Sequence, residues 1–221
     1  IMLLSLMPEQ GVATLTSFPR DLYIDIPGIG YERINTTQAY GGFELTRETF
    51  KYNFDVPVDH YMITNFAGFV GIIDTLGGIT VNAAYELYDR CDLPQAFNKM
   101  CYVPAGLTTM DGQTALWYVR SRYSTSDFDR TRRAQEVIIA ILQKSMSLNA
   151  VSRASELYQL FQDSVETDIS LELIIRMLPL ATKIINEPVT LQRYTISEED
   201  ITHYIVPETG AMVVLPNNEA I

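Results

Sequence analysis

With 221 residues, 47% of them hydrophobic, and a formal net charge of −11, the chain can bury one sizeable core, and no Pro/Gly/Ser-rich or charge-rich linker divides it. That acidity excludes a general nucleic-acid or anionic-membrane surface, which would require a net positive face. No apolar run reaches the roughly 18 residues of a membrane-spanning helix.

Residues 1–7 and 12–18 are β-prone runs joined by Pro8-Glu-Gln-Gly11, the punctuation of a hairpin. The first run lacks the length and basic flank of a signal peptide and reads as a strand entered midway, so a fragment is expected. Arg20 and Asp21 follow Pro19 between two β-like segments, where a loop often carries chemistry and where an exposed ion pair would look the same. Glu32 to Tyr40 reads as a short helix with Arg33 near its start, stopped by Gly41-Gly42, and a second helix covers 44–53. Residues 58–65 alternate as a strand. His60 there has no Cys or His at ligand spacing, which rejects a zinc site. Phe66 to Leu76 predicts an apolar helix ended by Gly77-Gly78, with Asp74 in a capping or buried hydrogen-bonding role, and a strand follows at Ile79-Thr-Val81.

Residues 84–108 read as a long irregular stretch containing both cysteines. Cys91 and Cys101 either close a disulfide, if the protein works outside the cytoplasm, or are unrelated thiols. Residues 110–122 have helical spacing that puts Ala115, Val119 and Arg122 on one face. Ser126-Asp-Phe-Asp129 has capping-box form and starts the next helix at 126 or 127. In that helix Arg130, Arg133, Ala134, Val137, Ile138 and Ile141 share the buried face, while Arg132 points to solvent and its replacement by alanine is expected to be close to silent. Residues 135–148, 152–163 and 170–186 are amphipathic helical patterns, the last interrupted by Pro179, and 189–196 and 210–215 are strands. The pattern predicts a single α/β domain over residues 1–221, with a central mixed β-sheet flanked by α-helices.

From Arg120 to Arg133 the chain gathers five of its sixteen Lys and Arg residues, against two acids, Asp127 and Asp129. Guanidinium groups on a buried face need anionic partners, because an uncompensated buried charge is costly. A salt-bridge network using Asp127 and Asp21 would satisfy some of them. A bound phosphate or pyrophosphate completes the set more economically, helped by the helix N-terminus near residue 127.

Several motifs in series resemble the LytR–CpsA–Psr family of cell-wall glycopolymer transferases, from residue 1 to about residue 145. They are Ser17-Phe-Pro-Arg-Asp21; Arg33-Ile-Asn35 with Ala39-Tyr-Gly-Gly42; Val58-Asp-His-Tyr61; Ile73-Asp-Thr-Leu-Gly-Gly-Ile79; Met110-Asp-Gly-Gln-Thr-Ala-Leu116; Tyr118-Val-Arg-Ser-Arg122; and Asp127-Phe-Asp-Arg-Thr-Arg-Arg133. The resemblance implies a Mg2+-dependent phosphotransferase at the extracytoplasmic face of the bacterial membrane. It would move a glycopolymer from a polyprenyl-pyrophosphate carrier to a peptidoglycan hydroxyl through a phosphodiester. Arg20, Arg33, Arg120, Arg122, Arg130 and Arg133 would hold the pyrophosphate, with Arg20, Asp21, Arg120 and Arg122 catalytic. Asp21 would hold the metal and Asp127 would orient the guanidinium fork. Residues 66–76 and the helices after 135 would wall a polyprenyl pocket.

Two departures qualify the match. Ala134 stands where the family has glutamine, and an aspartate that precedes the first strand in the family is absent, as is the membrane anchor expected ahead of it. A non-catalytic module binding polyprenyl phosphate or another anionic lipid, and a pyrophosphatase acting on the same carriers, remain rival expectations.

Overall fold

The computed structural model describes residues 1–147, 158–159, 161–162, 164–187 and 191–217, without the side chain of Asp127. In chain order the elements are β1 (Met2–Met7), β2 (Val12–Ser17), β3 (Tyr23–Ile26), β4 (Gly30–Arg33), α1 (Thr37–Phe54), β5 (Met62–Ile63), α2 (Phe66–Thr75), β6 (Ile79–Ala83), β7 (Leu87–Arg90), β8 (Met100–Val103) and β9 (Gly106–Met110). They continue with α3 (Gly112–Arg120), α4 (Asp127–Ser147), β10 (Glu166–Thr167), α5 (Leu171–Asn186), β11 (Leu191–Thr195), β12 (Ile201–Ile205) and β13 (Met212–Pro216). The α/β class is as predicted. The chain divides into two compact units, one of Ile1–Leu6, Thr14–Tyr61 and Gln192–Ile221, the other of Met7–Ala13 and Met62–Leu191.

In the first unit, β2 alternates as a half-buried strand should, with Leu15 and Ser17 inward, and it lies between β1 and β11. The β3–β4 pair is an antiparallel hairpin from Tyr23↔Arg33 to Ile26↔Gly30, and β12–β13 is a second from Ile201↔Pro216 to Ile205↔Met212. A parallel bridge, Leu22↔Val214, makes the pairing mixed. The helix predicted from Glu32 begins later, because residues 30–33 are strand β4 and Ile34–Thr36 is a 3-10 turn. Gly41-Gly42 interrupts α1 as expected: Gly42 sits at φ 64°, ψ −154°, where a side chain would be strained. Phe18 packs edge-on against Phe50, with ring centroids 5.0 Å apart.

The second unit is built on a core that includes Ile73, Leu76, Val81, Ala115, Tyr118 and Val137. Its helices start where cap chemistry dictates. Asn65 Oδ1 accepts from Gly68 N at 2.8 Å, Asp111 Oδ1 from Thr114 N at 2.8 Å, Ser126 Oγ from Asp129 N at 3.2 Å, and Ser170 Oγ from Leu173 N at 3.2 Å. Asp74 makes the predicted hydrogen bond, accepting from Gly112 N at 2.7 Å. Gly112 itself lies so close to α2 that an added Cβ would stand 2.8 Å from Val70 Cα.

Residues 84–108 contain regular strands where an irregular stretch was expected. β7 and β8 pair antiparallel, Leu87↔Val103 to Arg90↔Met100, and β9 pairs with β6. The inward side of β7 carries Leu87 and Asp89, so a charge breaks the apolar alternation that marks a strand. Cys91, just past the end of β7, is disulfide-bonded to Cys101 within β8, with Cα atoms 5.7 Å apart. The strand predicted over 58–65 contracts to β5. Pro179 does not interrupt α5: it lies exposed in a helix that runs continuously through it. The helix predicted at 152–163 falls mostly outside the described residues, as does the start of the strand predicted at 189.

Candidate functional site

The arginine-rich segment lies wholly in the second unit. α3 ends at Arg120, and Ser121 leaves it in extended geometry, φ −60° and ψ 132°, its N–H still bonded to Trp117 O at 2.9 Å. Arg120 is exposed, its guanidinium carbon 4.2 Å from the centroid of the Phe66 ring. Arg122 therefore does not continue the helical stripe, as its spacing had suggested. It stands exposed on the 121–126 loop, and no ion pair to it occurs among the described residues.

That loop is diverted from helix by a residue the sequence had not singled out. Asp89 is 2% exposed. Its Oδ2 accepts the Ser121 hydroxyl, Tyr123 N at 2.9 Å and Ser124 N at 3.4 Å, and its Oδ1 accepts Arg90 N at 2.7 Å. Burial works to raise the Asp89 pKa, but these hydrogen bonds outweigh it and hold the carboxyl below the ordinary range. The available signal was an aspartate in the inward register of Leu87, visible only once β7 is recognised.

Arg133 occupies the buried face, as its phase predicted, and is 1% exposed. The oxygens it meets are the protein's own: Nε donates to Tyr118 O at 2.7 Å, Nη1 to Thr125 Oγ1 at 3.0 Å, and Nη2 to Ser121 O. Burial draws its pKa below the usual arginine value. Arg130 is half-buried in the first turn of α4, which Asp127 begins.

Arg132 corrects the helical-phase reading. Rather than pointing to solvent, it pairs with Glu136 and with Asp129, the latter at 3.4 Å, and its guanidinium lies over Tyr85. Glu136 is 6% exposed and also accepts from Tyr118 Oη at 2.7 Å and Ala84 N at 3.2 Å. Burial, then the hydrogen bond to Glu136, pushes the Tyr118 pKa well up.

In the first unit the structure brings Arg20, Asp21 and Arg33 together. Asp21 Oδ1 lies 3.4 Å from Arg20 Nε and 3.5 Å from Arg33 Nε, and Arg33 Nη2 donates to Met212 O at 3.0 Å. Asp21 Oδ1 and Arg33 Nε are nonetheless buried atoms without a hydrogen bond. Among the described residues no three His, Cys, Asp or Glu side chains gather to hold a metal. A lone carboxylate fits magnesium only in the manner in which that ion keeps waters and takes its other ligands from a substrate's phosphates. A cleft of about 510 Å³ in the same unit, walled by Leu3, Thr16, Phe18, Tyr52 and Phe54, contains none of the predicted site residues.

The sequence matches the LytR_cpsA_psr family over residues 1–218. It is 32% identical over 176 residues to the polyisoprenyl-teichoic acid–peptidoglycan teichoic acid transferase TagT of Bacillus subtilis (strain 168), covering 80% of this chain and 54% of TagT. Against the correspondingly named TagU of Enterococcus faecalis (strain ATCC 700802 / V583), identity is 34% over 169 residues, covering 75% of this chain and 52% of TagU. The chain thus spans about half the length of these curated relatives. Among solved structures, B. subtilis TagV aligns with a TM-score of 0.80 at 21% identity, covering 98% of this chain and 82% of that one. A structure of TagT bound to LIIa-WTA aligns with a TM-score of 0.75 at 26% identity, covering 99% of this chain and 79% of that one.

Proposed function

The chain belongs to the LytR–CpsA–Psr family, and from that premise we propose that it is a phosphotransferase moving a glycopolymer from a polyprenyl-pyrophosphate carrier onto a peptidoglycan hydroxyl. The observation that carries this reading is the similarity to TagT and TagU, whose names describe polyisoprenyl-linked teichoic acid transfer to peptidoglycan. The arginine arrangement supports it. Phosphoryl transfer depends chiefly on placing positive charge at the non-bridging oxygens, with little covalent work for the protein.

In the proposed reaction the acceptor oxygen attacks the phosphorus next to the glycopolymer. The bond from that phosphorus to the bridging oxygen breaks, polyprenyl phosphate leaves with the bonding electron pair, and the proton of the acceptor hydroxyl is released to solvent. In the second unit Arg120, Arg122 and Arg130 bind pyrophosphate oxygens, with Asp127 orienting the guanidinium fork. Arg133, committed to carbonyls, contributes through the loop it holds. In the first unit Arg20 and Arg33 place positive charge beside Asp21. Asp21 is the residue that would hold a magnesium ion, which would supply positive charge to phosphate oxygens.

The disulfide supports action at the extracytoplasmic face, since such bonds persist in oxidising surroundings. Among the described residues no helix is long and apolar enough to cross a membrane.

Incubation with a short-chain prenyl-pyrophosphate saccharide, magnesium and peptidoglycan tests the proposal. Saccharide joined to peptidoglycan is the expected product. Release of prenyl phosphate and phosphosaccharide without joining would instead identify a pyrophosphatase, and binding without turnover a non-catalytic lipid-binding module.

A further inference from the structure

The loop from Ser121 to Ser126 is gripped from two chemically complementary sides. Asp89 offers only acceptors and takes the Ser121 hydroxyl and the Tyr123 and Ser124 N–H groups. Arg133 offers only donors and takes the Ser121 and Tyr118 carbonyls and the Thr125 hydroxyl. Both side chains are buried, at 2% and 1% exposure, so water cannot readily replace either. Arg122 lies between two of the gripped residues while its own side chain is exposed. Its backbone is fixed on both sides and its guanidinium is left for something else.

The strand bearing Asp89 is itself secured. Trp117 Nε1 donates to Arg90 O at 2.8 Å, the Arg90 guanidinium lies 4.1 Å from the Tyr123 ring centroid, and Cys91 is tied to Cys101. β7 is thereby fastened to α3 and to the loop that follows it.

We propose that Asp89 and Arg133 are positioning residues for Arg122, setting the loop so that this guanidinium is pre-aimed at an anionic phosphate ligand. The proposal rests on the reading of Arg122 as a pyrophosphate ligand. A guanidinium aimed in advance loses less freedom on binding than one on a mobile loop, so affinity depends on residues that never touch the ligand.

A double-mutant cycle on the whole chain tests this, with farnesyl pyrophosphate as the probe and backbone amide exchange as a second readout. In Asp89→Asn, exchange at Tyr123 and Ser124 should accelerate while the β6–β9 pair keeps its rates. Probe affinity should fall roughly tenfold, the scale of one charge-assisted hydrogen bond. The decisive arm is Asp89→Asn combined with Arg122→Ala, which should bind no more weakly than Arg122→Ala alone. Additive losses, or accelerated exchange with unchanged affinity, would overturn the proposal. So would unchanged exchange at Tyr123 and Ser124. If Asp89→Asn does not fold, Ser121→Ala removes one of the same hydrogen bonds and carries the same cycle. Failure of the wild-type chain to bind the probe would refute the pyrophosphate reading by itself, and amide exchange would still decide whether Asp89 holds the loop.

Discussion

Arg122 and Arg133 put one chemical group to opposite uses, and replacing each by alanine should separate them. Arg122→Ala removes an exposed side chain, so the melting temperature should hold while prenyl-pyrophosphate affinity, measured by calorimetry, falls about tenfold or more. Arg133→Ala deletes three hydrogen bonds and strands the Ser121 and Tyr118 carbonyls in the interior. A stability loss of about 3 kcal/mol or more is expected, read as a lower midpoint in urea. Arg132→Ala, near-silent by helical phase, should instead cost roughly 1–3 kcal/mol, because Arg132 is the charged partner of the buried Glu136. Phase alone could not show this. It places Arg132 correctly off the main stripe but says nothing of the carboxylate one turn later, which is turned inward by Tyr118 and Ala84.

At the scale of elements, the β7–β8 hairpin and α5 each carry one testable feature. The Cys91–Cys101 disulfide spans a separation of 10 residues, for which loop-closure entropy predicts about 3 kcal/mol of stabilisation. Replacing both cysteines by serine should therefore lower the melting temperature, and the loss should also appear as faster amide exchange at Tyr123 and Ser124 if β7 anchors their loop. In α5 the missing N–H of Pro179 leaves a gap on an exposed face of a helix that continues regardless. Pro179→Ala restores the donor without disturbing the core and should raise stability by about 1 kcal/mol or more in a urea titration. The continuation through Pro179 was not legible because proline marks a break only where packing is too weak to hold the helix on either side, and here Leu178, Leu180 and Ile184 are all buried.

For the molecule as a whole, stability should decline in acid. Asp89 is held below its ordinary pKa by hydrogen bonds that outweigh its burial, and Asp111 by its capping bonds with Thr114. A depressed carboxyl binds fewer protons folded than unfolded, so its contribution is complete above the unfolded value near about 3.9 and drains away as pH falls through the folded one. Urea midpoints should be flat near neutrality and drop below about pH 4; a midpoint unchanged there would show that neither hydrogen-bond set contributes. What the sequence disclosed follows the same division between local and distant causes. Asn65, Asp111, Ser126 and Ser170 start helices through bonds to residues three positions on, and Gly41-Gly42 and Gly77-Gly78 stop them through backbone freedom, so these could be read in advance. The four-residue strands of the 84–108 region could not, since their pairing is decided across the hairpin and their inward face includes a charge. The arginine segment was legible as a concentration of charge, but its partition between scaffold and exposed side chains required Asp89 and Glu136, which lie far away in the chain or inconspicuously within it.

Gly112 opens α3 at a position where helix propensity alone would favour alanine by about 1 kcal/mol. The backbone of Val70 denies that gain, since even one methyl group would overlap it. In a saturation library, then, this site should accept nothing, although it bears no side chain and carries no charge. Its intolerance would mimic that of a catalytic residue in any survival screen. An assay of folded yield alongside activity would separate the two, because variants at 112 should vanish from both whereas those at Arg122 should vanish from one.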